Sequence, residues 1–172
     1  HLHKIIAQDL TDLEGTGYQP LAFEIEAKEH LGDEWPDPLR GLTVFGRMDR
    51  VDFQPAERRY RVVDYKFKSG SRPTAMDNNL RRSALRGERL QPPFYLVLGK
   101  HLAARREGGG TPTVEAAFYY LAPKWPKGPL SPVAFPDDAW EGDLGVGLKE
   151  TLSLLLDGIQ QGRFFIIPDD HC

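Results

Sequence analysis

Cysteine is the scarcest side chain in this sequence: a single residue, Cys172, in a chain of 172. One thiol cannot close an internal disulfide, which excludes a small cross-linked scaffold. Long apolar runs are missing as well. No stretch of about 18 consecutive apolar residues occurs, so no membrane-spanning helix is encoded. No signal-peptide pattern is present, and a cytoplasmic setting is the expectation. The chain has no internal repeats and no low-complexity tract. It also lacks the Gly-rich phosphate loop of nucleotide hydrolases, so it is not expected to consume ATP itself. It opens on His1 rather than Met and ends on Cys172. It therefore reads as one domain, residues 1–172, excised from a longer protein.

What is present is ordinary in bulk. With 40% hydrophobic and 27% charged residues, the chain can bury a single core of fair size. The net charge of −3 conceals an asymmetry. Residues 58–106 hold thirteen Lys and Arg against three acids, a local excess of ten positive charges. The remainder carries nine basic and twenty-two acidic residues. A basic middle in an acidic chain points to a polyanionic partner, nucleic acid ahead of others. A solvated helix face gives the same composition, so position has to decide between them.

The densest chemistry lies between Gly46 and Gly70. Gly46-Arg47-Met48-Asp49-Arg50-Val51-Asp52-Phe53 and Tyr60-Arg61-Val62-Val63-Asp64-Tyr65-Lys66-Phe67 both read as strands. Gln54–Arg59 is polar with a Pro breaker, so Leu42–Phe53 and Tyr60–Phe67 are expected to pair as a hairpin. Alternation puts Asp64 and Lys66 on one strand face, and Val63, Tyr65 and Phe67 on the other, in apolar packing. Asp49 shares its face with Phe45, Arg47 and Val51. Two carboxylates on neighbouring strands can hold a hard divalent cation such as Mg²⁺. A nearby ammonium can orient the attacking water. Together these suit metal-assisted phosphodiester hydrolysis. Two solvated charges on an open sheet face would look the same in isolation.

Elsewhere, Leu2, Ile5, Ile6, Leu10 and Leu13 recur at helical spacing, which predicts an amphipathic helix over His1–Glu14 ended by Gly15 and Gly17. Leu21–Ala27 alternates, with Leu21, Phe23 and Ile25 inward and Glu24 and Glu26 outward. Glu29–Arg40 is a loop. Asp77–Arg89 is polar and Arg-rich, with Arg81, Arg82, Arg86 and Arg89 suited to phosphate. A helix is expected from Gln91 to about Arg106, since Pro92 and Pro93 are tolerated in a first turn and Gly108–Gly110 stops it. Gln91 and Tyr95, four apart, can share one face of it, as supports for the carboxylates or as a cap and a core residue. Val114–Leu121 is a strand. Pro123–Pro136 is a loop in which Trp125, between Lys124 and Lys127, could stack a base or pack on its own domain. Leu148–Ile159 is a helix facing the core.

These pieces in this order resemble the PD-(D/E)XK nuclease superfamily, in its RecB-like branch. The motifs are Gly46-Arg47-Met48-Asp49-Arg50-Val51-Asp52, then Val63-Asp64-Tyr65-Lys66, then Gln91-Pro92-Pro93-Phe94-Tyr95. Pro20–Glu24 looks like the upstream strand that brings a Glu to the site, and Leu156–Pro168 is similar to the family's C-terminal helix and exit. The resemblance implies an α/β fold, restriction-endonuclease-like, with a central mixed β-sheet flanked by α-helices. It implies DNA cleavage with Mg²⁺ or Mn²⁺. Asp49, Asp64 and the Tyr65 carbonyl would bind metal, and Lys66 would activate water. Glu24 would hold water or a second metal, and Gln91 and Tyr95 would steady the site. It further implies a part in DNA recombination or repair, with a helicase as partner. An AddB-type subset holds an iron–sulfur cluster, and Cys172 falls where one of its ligands would be. Such a cluster is conceivable only in the full-length parent, because one Cys cannot hold it. The competing readings are a nuclease-like module that grips DNA without cutting it, and a metal hydrolase for another phosphoester.

Overall fold

The computed structural model describes residues 2–67, 76–108, 112–121, 133–135 and 137–163. Helix α1 (Leu2–Thr16) leads into strands β1 (Gln19–His30), β2 (Thr43–Gln54) and β3 (Arg59–Phe67). Helices α2 (Met76–Leu85) and α3 (Gln91–Glu107) follow, then β4 (Thr113–Leu121) and β5 (Val133–Phe135). A short turn at Asp137–Trp140 precedes α4 (Gly142–Gln160). The strands form one mixed sheet in the order β1-β2-β3-β4-β5. Among the described residues only β3 and β4 run parallel, and the chain between them supplies α2 and α3. Parallel neighbours need such a crossover. Among the described residues no helix is long and apolar enough to cross a membrane.

Helix α3 is the element that fixes the site. Pro92 and Pro93 occupy its first turn, where their missing N–H groups cost nothing, and Gly108 ends it in the left-handed conformation at φ 70°. It lies unusually close to the sheet. A Cβ on Gly99 would come within 2.7 Å of Val62 and 2.8 Å of Val114, and one on Gly46 within 2.9 Å of Leu98. Leu96, Leu98, Val51, Val62, Val114, Ala116 and Phe135 form the core on this side. A second cluster of Leu31, Trp35, Leu39 and Leu152 anchors the loop after β1 to α4. Trp140 ties the two layers together by donating to the Pro93 carbonyl at 2.8 Å.

The opposite sheet face is polar. Arg50, only 2% exposed, donates to Asp9 at 3.0 Å, to Asp52 at 2.9 Å and to the Tyr65 hydroxyl at 2.7 Å. Arg61 bridges Asp12 and Glu115 at 2.9 and 2.7 Å, and Tyr119 donates to Asp12 at 2.6 Å. Helix α1 is therefore docked through Asp9 and Asp12, three apart on one face. Ile6 and Leu10 of its expected buried stripe are exposed. Tyr65 likewise faces this charged layer as well as Val63 and Tyr119, not a purely apolar one. Burial pushes the Tyr65 hydroxyl up to about 12, so it stays protonated at neutral pH.

Tyr65→Phe is expected to cost about 1.5 kcal/mol, because it removes a neutral partner from a buried guanidinium. The urea midpoint of the variant checks this. An unchanged midpoint would mean that the hydrogen bond to Arg50 contributes nothing to stability.

Two further differences from the expected elements have local causes. Phe23 is 65% exposed rather than inward. The β1–β2 register shifts between Pro20 and Ala22, and Glu24 adopts φ 50°, so simple alternation fails there. The segment expected to be loop up to Pro136 contains β5, three residues long, which pairs with β4 through Val133, Ala134 and Phe135.

Candidate active site

The β2–β3 ladder pairs Gln54 with Arg59 and continues to Arg50 opposite Val63, where it stops. The next opposed residues would be Asp49 and Asp64. The strands part where two like charges would otherwise meet. Asp49 accepts the Tyr65 backbone N–H at 2.9 Å, so a side chain takes over from the ladder. This hydrogen bond fixes the peptide unit between Asp64 and Tyr65.

Asp64 is 4% exposed, and a buried carboxylate needs donors or cations. Its Oδ1 accepts the Gln91 amide at 2.8 Å and lies 3.1 Å from the Tyr95 hydroxyl. Its Oδ2 has Lys66 Nζ at 2.7 Å, but off the line of a hydrogen bond. That buried oxygen thus feels a positive charge yet has no aligned donor among the described residues. Lys66 in turn donates to Gln91 Oε1 at 2.6 Å. Gln91 holds the acid and the ammonium at once, one with each end of its amide. Tyr95 accepts from Gln91 at 2.5 Å, reaches the Arg47 carbonyl at 3.1 Å and stacks on Phe118. Burial, then the charges of Asp64 and Asp49, push the Tyr95 hydroxyl well above its ordinary range, so it remains a donor.

The structure thus brings together Asp49, Asp64, Lys66, Gln91 and Tyr95. Glu24 is set apart. The register on either side places it across from Asp49, but its carboxylate is exposed and paired with Arg47 at 3.2 Å. Among the described residues no group of three His, Cys, Asp or Glu side chains could hold a metal ion together. Two carboxylates fit a divalent ion that keeps several waters, as Mg²⁺ does. The orphaned Asp64 Oδ2 is the atom whose environment suits that role best.

Arg81, Arg82, Arg86 and Arg89 lie on α2 and the turn after it, and all but the half-buried Arg81 are exposed. Not all of the basic stretch is free for a polyanion. Arg61 is buried beneath α1, Arg58 pairs with Glu107, and Arg59 pairs with Glu57 at 3.1 Å. Trp125, its flanking lysines, the exit segment after Arg163 and Cys172 lie outside the described residues. Sequence reasoning missed the roles of Arg47, Asp9 and Asp12. The i,i+3 spacing of the two α1 acids, against Arg50 and Arg61 on one sheet face, was the available signal.

A family model described as the PD-(D/E)XK nuclease superfamily matches residues 2–172. No curated protein matches the chain.

Proposed function

This chain belongs to the PD-(D/E)XK nuclease superfamily, and from that premise we propose that it is a Mg²⁺- or Mn²⁺-dependent deoxyribonuclease of the RecB-like branch. Its action would be exonucleolytic, in recombination or repair, beside a helicase subunit or domain. The observation that carries this reading is the parting of β2 and β3 at Asp49 and Asp64, with Lys66 fixed by Gln91 beside them. A site kept only for gripping DNA has no use for a buried acid with an unaligned oxygen facing an ammonium.

Asp49, Asp64 and the Tyr65 carbonyl would hold the ion, which supplies an acidified water and offsets charge on the phosphate. The remaining work belongs to the chain. Water loses a proton to solvent as its oxygen bonds to the scissile phosphorus, the bond to the leaving oxygen breaks, and that oxygen takes up a proton from solvent, so the step balances. Lys66 orients the water and offsets charge on the phosphoryl oxygens. Gln91 holds Lys66 and Asp64 at a fixed separation, so neither has to be ordered during the reaction. Tyr95 keeps Asp64 from turning away.

The test compares cutting with binding. The protein should degrade DNA with Mg²⁺ and bind it without degradation in chelator. Binding with no cleavage under any divalent ion would favour the gripping module instead.

Arg81, Arg82, Arg86 and Arg89 are expected to touch phosphate rather than bases. Replacing all four by Gln should weaken binding to every sequence alike. The slope of log affinity against log salt should flatten by roughly 0.7 for each phosphate of a single strand that is no longer neutralised. Anisotropy titrations at several salt concentrations check this, and an unchanged slope would return these arginines to a solvated surface.

A further inference from the structure

Where the β2–β3 ladder ends, Asp49 and Asp64 have no rung to set their separation. Among the described residues two contacts still tie the strands there, and both end on Tyr65. One is the Tyr65 backbone N–H on Asp49, at 2.9 Å. The other is the Tyr65 hydroxyl, which accepts from Arg50 Nη1 at 2.7 Å on the sheet face covered by α1. Arg50 follows Asp49 in β2, and Tyr65 stands between Asp64 and Lys66 in β3. Each charged group assigned to the chemistry is thus a chain neighbour of one end of the Arg50–Tyr65 bond. Arg50 is itself held from α1. Its Nη1 and Nη2 donate to the two carboxylate oxygens of Asp9 at 2.5 and 3.0 Å, and Nη2 also donates to Asp52 at 2.9 Å. A planar guanidinium paired at both prongs is fixed in orientation as well as in position. The Tyr65 ring is held too, with its centroid 5.7 Å from that of Tyr119.

We propose, resting on the nuclease reading above, that Asp9, Arg50 and Tyr65 are positioning residues, which set the separation of Asp49 and Asp64 for a divalent ion from the opposite side of the sheet. None of the three touches the ion or the DNA. Asp9 orients Arg50, Arg50 holds the Tyr65 hydroxyl, and the Tyr65 peptide holds Asp49 beside Asp64. Helix α1 is then part of the geometry of the site and not only a cover for the sheet. Tyr119 provides the contrast. It is buried in the same layer, but its hydroxyl bonds Asp12 at 2.6 Å, and Asp12 in turn holds Arg61. Losing that hydroxyl removes a comparable buried hydrogen bond and leaves the path from Asp9 to Asp49 whole.

The test compares Tyr65→Phe, Asp9→Asn and Tyr119→Phe in the whole chain, with two readouts that need no cleavage. The first is hydrogen exchange of the residue 65 backbone amide in metal-free protein, followed by NMR and taken relative to Val62, which lies inside the ladder. Exchange should be about tenfold faster in Tyr65→Phe and Asp9→Asn, the scale of one lost buried hydrogen bond, and unchanged in Tyr119→Phe. The second is the Mn²⁺ dissociation constant by calorimetry. It should rise about tenfold in the first two variants, as for residues that orient metal ligands, and stay put in Tyr119→Phe. Tyr65→Phe keeps every charge and both rings, so it decides the matter should Asp9→Asn not fold. Equal effects in all three variants would mean general loosening of the layer and would overturn the proposal. A folded Asp9→Asn that behaves like the parent would overturn it as well. A parent that binds Mn²⁺, with Tyr65→Phe binding it as tightly, would reject this inference alone. Faster exchange in Tyr65→Phe in a chain that binds no Mn²⁺ would instead reject the nuclease reading, and would leave the tie as what sets the two acids apart.

Discussion

Lys66→Ala is expected to lower the rate of DNA cleavage about a thousandfold, within the range for losing one positioned proton-transfer or charge-stabilising group. Affinity for DNA in chelator should change little, because a single ammonium is only a small part of a phosphate-dominated interface. The geometry behind this is a Lys66 Nζ held 2.6 Å from Gln91 Oε1 and 2.7 Å from Asp64 Oδ2. The variant also leaves Asp64 without its cation, so a Lys66→Met protein, which keeps the stem, separates the effect of packing from that of charge. Both should show the same loss in single-turnover cleavage, with circular dichroism like the parent protein. Near-normal cleavage by either variant would remove Lys66 from the mechanism.

The second large effect is on stability. A divalent ion that binds the folded chain alone stabilises it by mass action, about 2.7 kcal/mol at a hundredfold excess over its dissociation constant. Mg²⁺ and Mn²⁺ should both raise the unfolding temperature, as both favour oxygen ligands. Asp64→Asn should remove most of that rise. Two facing carboxylates alone would suggest that this variant is more stable without metal, through relief of repulsion. The structure corrects that expectation. Lys66 already offsets the Asp64 charge, and Gln91 already donates to Oδ1. An amide there turns a neutral N–H₂ toward the ammonium or toward Gln91, so the metal-free variant is expected to be less stable than the parent. Scanning calorimetry with and without each ion reads both effects. Equal metal-induced shifts in the two proteins would place the ion elsewhere.

Much of this arrangement was legible from residue order, and the reasons are local. Strand alternation placed Asp64 and Lys66 on one face, and helical spacing placed Gln91 and Tyr95 on another. The two meet because α3 packs tightly on the sheet at Gly99. Glu24 was harder. Its strand is bulged and its backbone has positive φ, which no period-2 pattern encodes. Helix α1 showed an apolar stripe, yet docking follows the acids that neutralise Arg50 and Arg61, a tertiary demand invisible in one helix. The basic excess misled in part for the same reason. Formal charge counted Arg61 with the exposed arginines, whereas it is buried under Tyr18 and α1. Strand β5 is three residues long, too short for periodicity to register.

The claim that everything else depends on is that Asp49 and Asp64 form one divalent-ion site where β2 leaves β3. Titration of Mn²⁺ into the metal-free protein, followed by heat, measures it directly. One saturable site is expected in the parent, lost in Asp49→Asn and in Asp64→Asn, and kept in Asp33→Asn, whose carboxylate is exposed on the loop after β1. Identical isotherms in the parent and the two site variants would contradict it.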